Sequence, residues 1–378
     1  MGYRAGDWSV SVRNHVITLL AGVIIHALSM HQAHALPTFA IQTDQPCSAC
    51  HVGAFGPQLK PFGRDFKLYG YTAVDDEKKS HGVPLALYIR NSFTHTTQNQ
   101  TPAPYDRFYG SSSNNNFALD EASFWYAGRV NSTTGAYIEG SYDGVTGQLH
   151  LDNGDVRHIH EGRVFGTDYI AGITVNDSPT VQDLWNSTPV WGFPFDSSKV
   201  AASPAASTLL DGALSQTTLG AGAYVMWNDW VYAELDAYKG LSYHGLAMTG
   251  QTPTSGANQY QGLIPYWRLA VQHEIDKNYF EIGTLGLSAN VIPGDDHTAT
   301  STDHITDMAL DGTYQWLKDD RNVISAHSIY IHENLDLTHS HVSNGTNLSD
   351  SLNTFRADVS YSYDNTWTPT VQYFNTWG

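Results

Sequence analysis

The residues best suited to carry chemistry lie in one hexapeptide, "PCSACH" from Pro46 to His51, which holds both cysteines of the 378-residue chain. Two thiols three residues apart, with a histidine directly after the second, can serve several purposes. They can form thioethers to the vinyl groups of a c-type haem while His51 ligates the iron, since one short turn presents all three groups together. They can act as a thioredoxin-like redox pair, which calls for a βαβ context absent from this chain. They can supply half of a zinc site, whose other ligands would have to be histidines. A Cys47 to Cys50 disulfide in a chain without haem is the remaining alternative.

Compartment narrows the choice. Arg4 and Arg13 precede an apolar run, Val16 to Leu28, and "AHA" at Ala33 to Ala35 follows it with a small-x-small cleavage pattern. Residues 1–35 read as a secretory signal peptide, which places the mature chain in an oxidising compartment where unprotected thiols are a liability. Export, the complete CxxCH and the lack of any other cysteine favour one haem c, held by Cys47 and Cys50 with His51 on the iron. The formal net charge of −18 argues against a nucleic-acid partner and for cations.

The elements that must position this motif fall into two parts. Residues 36–82 form a small module with a linker through "DDEKK" (Asp75 to Lys79), and residues 83–378 change to strands of about ten residues with period-two alternation, the length of a tilted transmembrane β-strand. In "TFRADVSYSY", Arg356, Asp358, Ser360 and Ser362 share one face and Val359, Tyr361 and Tyr363 the other. In "VYAELDAY", Val231, Ala233, Leu235 and Ala237 oppose Glu234 and Asp236. Met308 shares a face with Leu310 and is expected to meet lipid.

Connection lengths decide between a soluble sheet and a membrane one. About thirteen strands are visible, with long loops at about 96–118, 143–155, 177–218, 240–262, 291–303 and 337–353 alternating with tight turns. That alternation is expected of an all-β, antiparallel transmembrane β-barrel in the bacterial outer membrane, with long extracellular loops and short periplasmic turns. Such barrels close with an even number of strands, so an odd count implies one strand miscounted or a chain incomplete at its C-terminus.

The stretches "PTFAIQTDQPCSACH" and "LKPFGRDFKLYGYT", together with "PTVQDLWNSTPVWGFPF" (Pro179 to Phe195), resemble the fused outer-membrane cytochrome-porins, monohaem c-type cytochromes associated with Fe(II) oxidation. The departures from that pattern, Ile41, Asp44 and Lys60, leave the haem attachment intact. The resemblance implies a haem module in or at the mouth of a barrel of about sixteen strands. It also implies extracellular Fe(II) as electron donor and a periplasmic c-type cytochrome as acceptor. The same build serving another donor or acceptor, or a soluble periplasmic haem protein, are the rival readings. Elementary physics agrees that a module of this size is too small to shelter a haem alone, so a barrel wall is the available cover.

Supporting residues follow from the module. His81 is a candidate second axial ligand, Phe39, Phe55 and Phe62 are candidates to pack on the porphyrin, and Arg64 and Lys67 to pair with its propionates. The long loops are acidic, with Arg107 and Lys199 as their basic residues, and Asp295, Asp296 and His297 form a candidate transient Fe(II) site beside Asp303 and His304.

Overall fold

A computed structural model describes residues 37–74, 84–201, 204, 206–212, 214–251, 258–295 and 299–378. The expected signal peptide, the charged linker, His81, Asp296 and His297 lie outside the described residues, as does the side chain of Asp295.

The strands are β1 (Leu85–His95), β2 (Asn115–Asn131), β3 (Thr134–Asp143), β4 (Gln148–Val164), β5 (Thr167–Asn176), β6 (Thr218–Trp227) and β7 (Val231–Gly240). They continue with β8 (Gln259–Gln261), β9 (Ile264–Ile275), β10 (Asn278–Ile292), β11 (Asp303–Leu317), β12 (Val323–Asp336), β13 (Ser349–Ser362) and β14 (Thr370–Trp377). All belong to one antiparallel meander in which, β8 apart, each strand pairs with the next along the chain. The short β8 pairs with β10 just beyond the point where β9 leaves it, so the two occupy one position and the sheet has thirteen. Tight turns use residues that tolerate positive φ, such as Asn228 at 53° and Asp229 at 55°. One expected loop is corrected: the connection after β3 is only residues 144–147, because "QLHLDNGDV" continues as strand. Its Asp, Asn and Gly read as loop formers, yet Asp152 and Asp155 are side chains of β4, Asp155 fully buried among polar partners.

Alternation along the strands is inverted relative to a soluble protein. On β7, Glu234 and Asp236 are buried while Leu235 between them is 72% exposed. On β1, Leu87 is 83% and Ile89 68% exposed. Met308 and Leu310 also face outward, and on β13 the expected split holds, with Ser360 and Ser362 buried and Val359 and Tyr361 exposed. A period-two pattern fixes only that the faces differ; here the charged face is the inner one.

What fills the inside is the N-terminal module and one long loop. Gln42 accepts from the Arg129 backbone on β2, Arg157 on β4 donates to the Lys67 carbonyl, Tyr224 on β6 donates to the Leu68 carbonyl, and Gln58 reaches Asp358 on β13. One small module touching strands from β2 to β13 means that the sheet curls around it. The connection between β5 and β6 folds inward as well, burying Val181, Leu184 and Trp185. Phe66, Tyr71, Ala127, Tyr137 and Val181 form one packed cluster drawn from module, wall and loop.

Candidate haem site

The CxxC is a single helical turn, Cys47–Cys50, so the two thiols lie on one face; at His51 the chain turns extended, with φ −112° and ψ 143°. A second helix, Pro61–Leu68, starts with proline at its first position, where no backbone donor is lost. It crosses the CxxC turn at Gly63, where an added Cβ would lie 2.5 Å from the Cys50 carbonyl oxygen. The Lys60 amide donates to that same carbonyl at 2.8 Å, and Lys60 Nζ bridges the Ser48 and Asp320 carbonyls at 2.7 Å each. Lys60 thus ties the motif to the turn between β11 and β12.

Cys47, Cys50 and His51 all line one cavity, partly open and mostly apolar. Its aromatic walls come from Phe39 and Phe66 of the module, Trp125 and Tyr137 of β2 and β3, and Trp191 of the infolded loop. The two thiols are not bridged. Burial and the adjacent Cys47 push the Cys50 thiol up to about 12, against the pull of Lys60. Burial pushes His51 down to about 4, so its ring is neutral, and its Nδ1 is buried with no hydrogen-bond partner. Two unbridged cysteines, a neutral imidazole with an unsatisfied ring nitrogen and a ring-lined apolar cavity fit a covalently attached haem.

The expected supporting residues divide. Phe39 lines the cavity, but Phe55 and Phe62 do not and are 58% and 40% exposed. Gly63, Phe66 and Lys67 form the helical face that lines it, and Phe62 is rotated off that face. Arg64 is directed away from the cavity: Nη1 donates to the Leu59 carbonyl at 2.7 Å and to Gln315 at 2.8 Å, and the guanidinium lies 3.6 Å over the Tyr279 ring. Lys67 reaches the cavity wall, yet its ammonium donates to the Val181 and Asp183 carbonyls and to Asn186 Oδ1 at 2.9, 2.6 and 2.8 Å. All three N–H groups are spent on the infolded loop. Neither residue is therefore placed to meet a propionate. Among the described residues, no second histidine and no methionine lines the cavity.

Lys67 gives a pH prediction. Burial, reinforced by Arg157 and opposed by Asp183, pushes it down to about 7. The unfolded chain then binds this proton more tightly than the folded one, so stability rises with pH from about 7 toward the ordinary lysine range near 10.4. Unfolding midpoints in urea measured across that range should rise for the wild type and stay flatter for Lys67→Met.

The candidate iron cluster of the loops is split where it is described. Asp303 is buried and accepts from the Ser340 amide, whereas His304 beside it faces out toward Asn290. Adjacent strand residues point to opposite faces, which sequence proximity conceals. Carboxylate oxygens of Glu121, Glu139 and Asp152 do come within 4.8 Å of one another inside the sheet. Hydrogen bonds from Ser123, Ser141, Asn153 and Gln216 already occupy them.

No protein-family model matches the chain, and no curated protein matches it. Among solved structures it is similar to OmpT, an outer membrane protein of Vibrio cholerae, at 12% identity over 77% of this chain and 87% of that one, with a TM-score of 0.35. It is also similar to the outer membrane channel DcaP of Acinetobacter baumannii, at 11% identity over 79% and 92% of the two chains, with a TM-score of 0.36. Likenesses so distant bear on neither the function nor the site of this chain.

Proposed function

We propose that the chain is an outer-membrane electron-transfer protein with one haem c attached to Cys47 and Cys50, taking electrons from Fe(II) and passing them to a periplasmic c-type cytochrome. The observation that carries the reading is that Cys47, Cys50 and His51 all line one apolar, ring-lined cavity. Haem bound there would supply a one-electron carrier. The chain's part is to hold it: two attachment sulfurs, one imidazole, and aromatic walls from the module, the sheet and the infolded loop. The choice of Fe(II) follows the resemblance of the module, and the negative charge of the chain, −18, is of the sign that concentrates a divalent cation.

Membrane embedding is supported by the outward apolar face. Large aromatic side chains stand exposed at the tight-turn end, with Trp230 at 50%, Trp367 at 70% and Phe165 at 97%, as in an interfacial belt. Leu235→Arg, in the middle of β7, should cost about 2–4 kcal/mol if that face meets hydrocarbon. On a water-exposed surface the same change should stay within about 0.5 kcal/mol. The yield of heat-modifiable, folded protein in the outer-membrane fraction separates the two.

A pyridine haemochrome spectrum tests the central claim. The wild type is expected to show a c-type band that disappears in the Cys47→Ala/Cys50→Ala variant while the folded sheet persists. Absence of the band in the wild type would leave a porin without haem. Failure of Fe(II) to reduce the haem in stopped flow would remove Fe(II) as donor and keep the conduit.

A further inference from the structure

The cavity contains more polar chemistry than the CxxCH needs. Its cationic and hydroxyl side chains are mostly committed elsewhere: Lys67 to the infolded loop, Tyr71 to Asp155 at 2.6 Å, and Thr43 to the Phe39 carbonyl at 2.8 Å. Asn186 is also spent, accepting from Lys67 and donating to the Pro57 carbonyl at 2.8 Å. Two donors remain. Trp125 Nε1 on β2 and Tyr137 Oη on β3 are both buried, both without a hydrogen-bond partner, and both belong to residues of the cavity wall. Tyr137 is only 5% exposed. The two rings stack with centroids 6.0 Å apart, so both residues belong to one patch of the wall.

An indole N–H can only donate and a phenol can donate, so the pair is built for an acceptor. Leaving a buried donor unpaired costs about 1–3 kcal/mol each, which is hard to reconcile with two of them on neighbouring residues of one cavity wall unless something accepts from them. A carboxylate offers two acceptor oxygens, and with Lys67 committed and Arg64 outside the cavity lining it would find no free cation among the described lining residues to neutralise it. Hydrogen bonds from neutral donors are then the means of holding it.

Resting on the haem reading above, we propose that Trp125 and Tyr137 form the propionate-binding pair of this cavity, supplied by the sheet and not by the CxxCH module. The sheet would thereby bind the cofactor as well as shelter it.

The test uses the haem-loaded protein in detergent, with Tyr137→Phe and Trp125→Phe, which remove the donors and keep the rings. Tyr266→Phe serves as control, since Tyr266 Oη is also buried and without a partner but lies outside the cavity. Resonance Raman propionate-bending bands are expected to shift in both cavity variants and not in the control, with the spin-state marker bands unchanged. The reduction potential should fall, because a propionate stripped of a donor favours ferric iron. Full haem content with unmoved propionate bands in Tyr137→Phe would overturn the pair. A change in spin-state bands would also overturn it, by making Tyr137 an iron ligand. A wild type without haem overturns the haem reading and this proposal together, whereas unmoved bands in a haem-loaded variant remove this proposal alone.

Discussion

Arg268→Ala should cost about 3–5 kcal/mol, the loss expected when one partner of a buried ion network is removed. Arg268 projects from β9 with no exposed surface, and its Nη2 lies 2.7 Å from Asp311, 3.4 Å from Glu281 and 3.5 Å from Asp183. Its guanidinium also lies 4.9 Å over the Trp185 ring. Two of the carboxylates belong to the wall and one to the infolded loop, so this side chain joins loop to sheet. Deleting it leaves three buried carboxylates in mutual repulsion. The urea midpoint of the heat-modifiable form should drop, and cleavage within residues 177–217 by added protease should accelerate. Adding Asp311→Asn to an Arg268→Met background should recover part of the loss; equal stability of Arg268→Ala and wild type would show that the network contributes nothing.

The second large effect is at Gly63. The atoms that a Cβ would meet are backbone, the Cys50 carbonyl oxygen at 2.5 Å and Cys50 Cα at 3.1 Å, so no side chain can rotate aside. Gly63→Ala must push the two helices apart. Overpacking of this kind costs about 1–3 kcal/mol, but the functional consequence is larger because the displaced atoms carry Cys50 and His51. Haem-to-protein ratio should fall by roughly tenfold, as about 1.4 kcal/mol of misplacement already implies. Gly154→Ala, whose nearest heavy atoms are 3.9 Å from the added Cβ, is the control and should retain haem.

Much of this was legible beforehand, and the reasons are local. Period two separates the faces of β7 and β13 without knowledge of partners, so Glu234 against Leu235 and Ser360 against Val359 could be sorted from spacing alone. Thirteen strand positions could be counted for the same reason. The fate of Arg64 and Lys67 could not. Their charge made them suitable for a propionate, but their actual acceptors, Gln315 and the loop carbonyls of Val181 and Asp183, lie more than a hundred residues away. Trp125 and Tyr137 were within reach, since they share strand parity with the polar residues Ser123 and Glu139. Once polar residues are known to face inward, so must these rings. The inward course of Pro179 to Phe195 had no such signal, because a loop has no period to reveal where it lies.

Enclosure of the CxxCH by strands from β2 to β13 also has a bearing on assembly. On the proposed haem reading, a motif wrapped by a curled sheet is out of reach of any enzyme that must grasp it, so attachment would have to precede curling. The order of biogenesis is then cofactor first, wall second. Sheet refolded from chain that never received haem should accept it poorly when haem is supplied afterwards, whereas the same chain loaded before refolding should retain it.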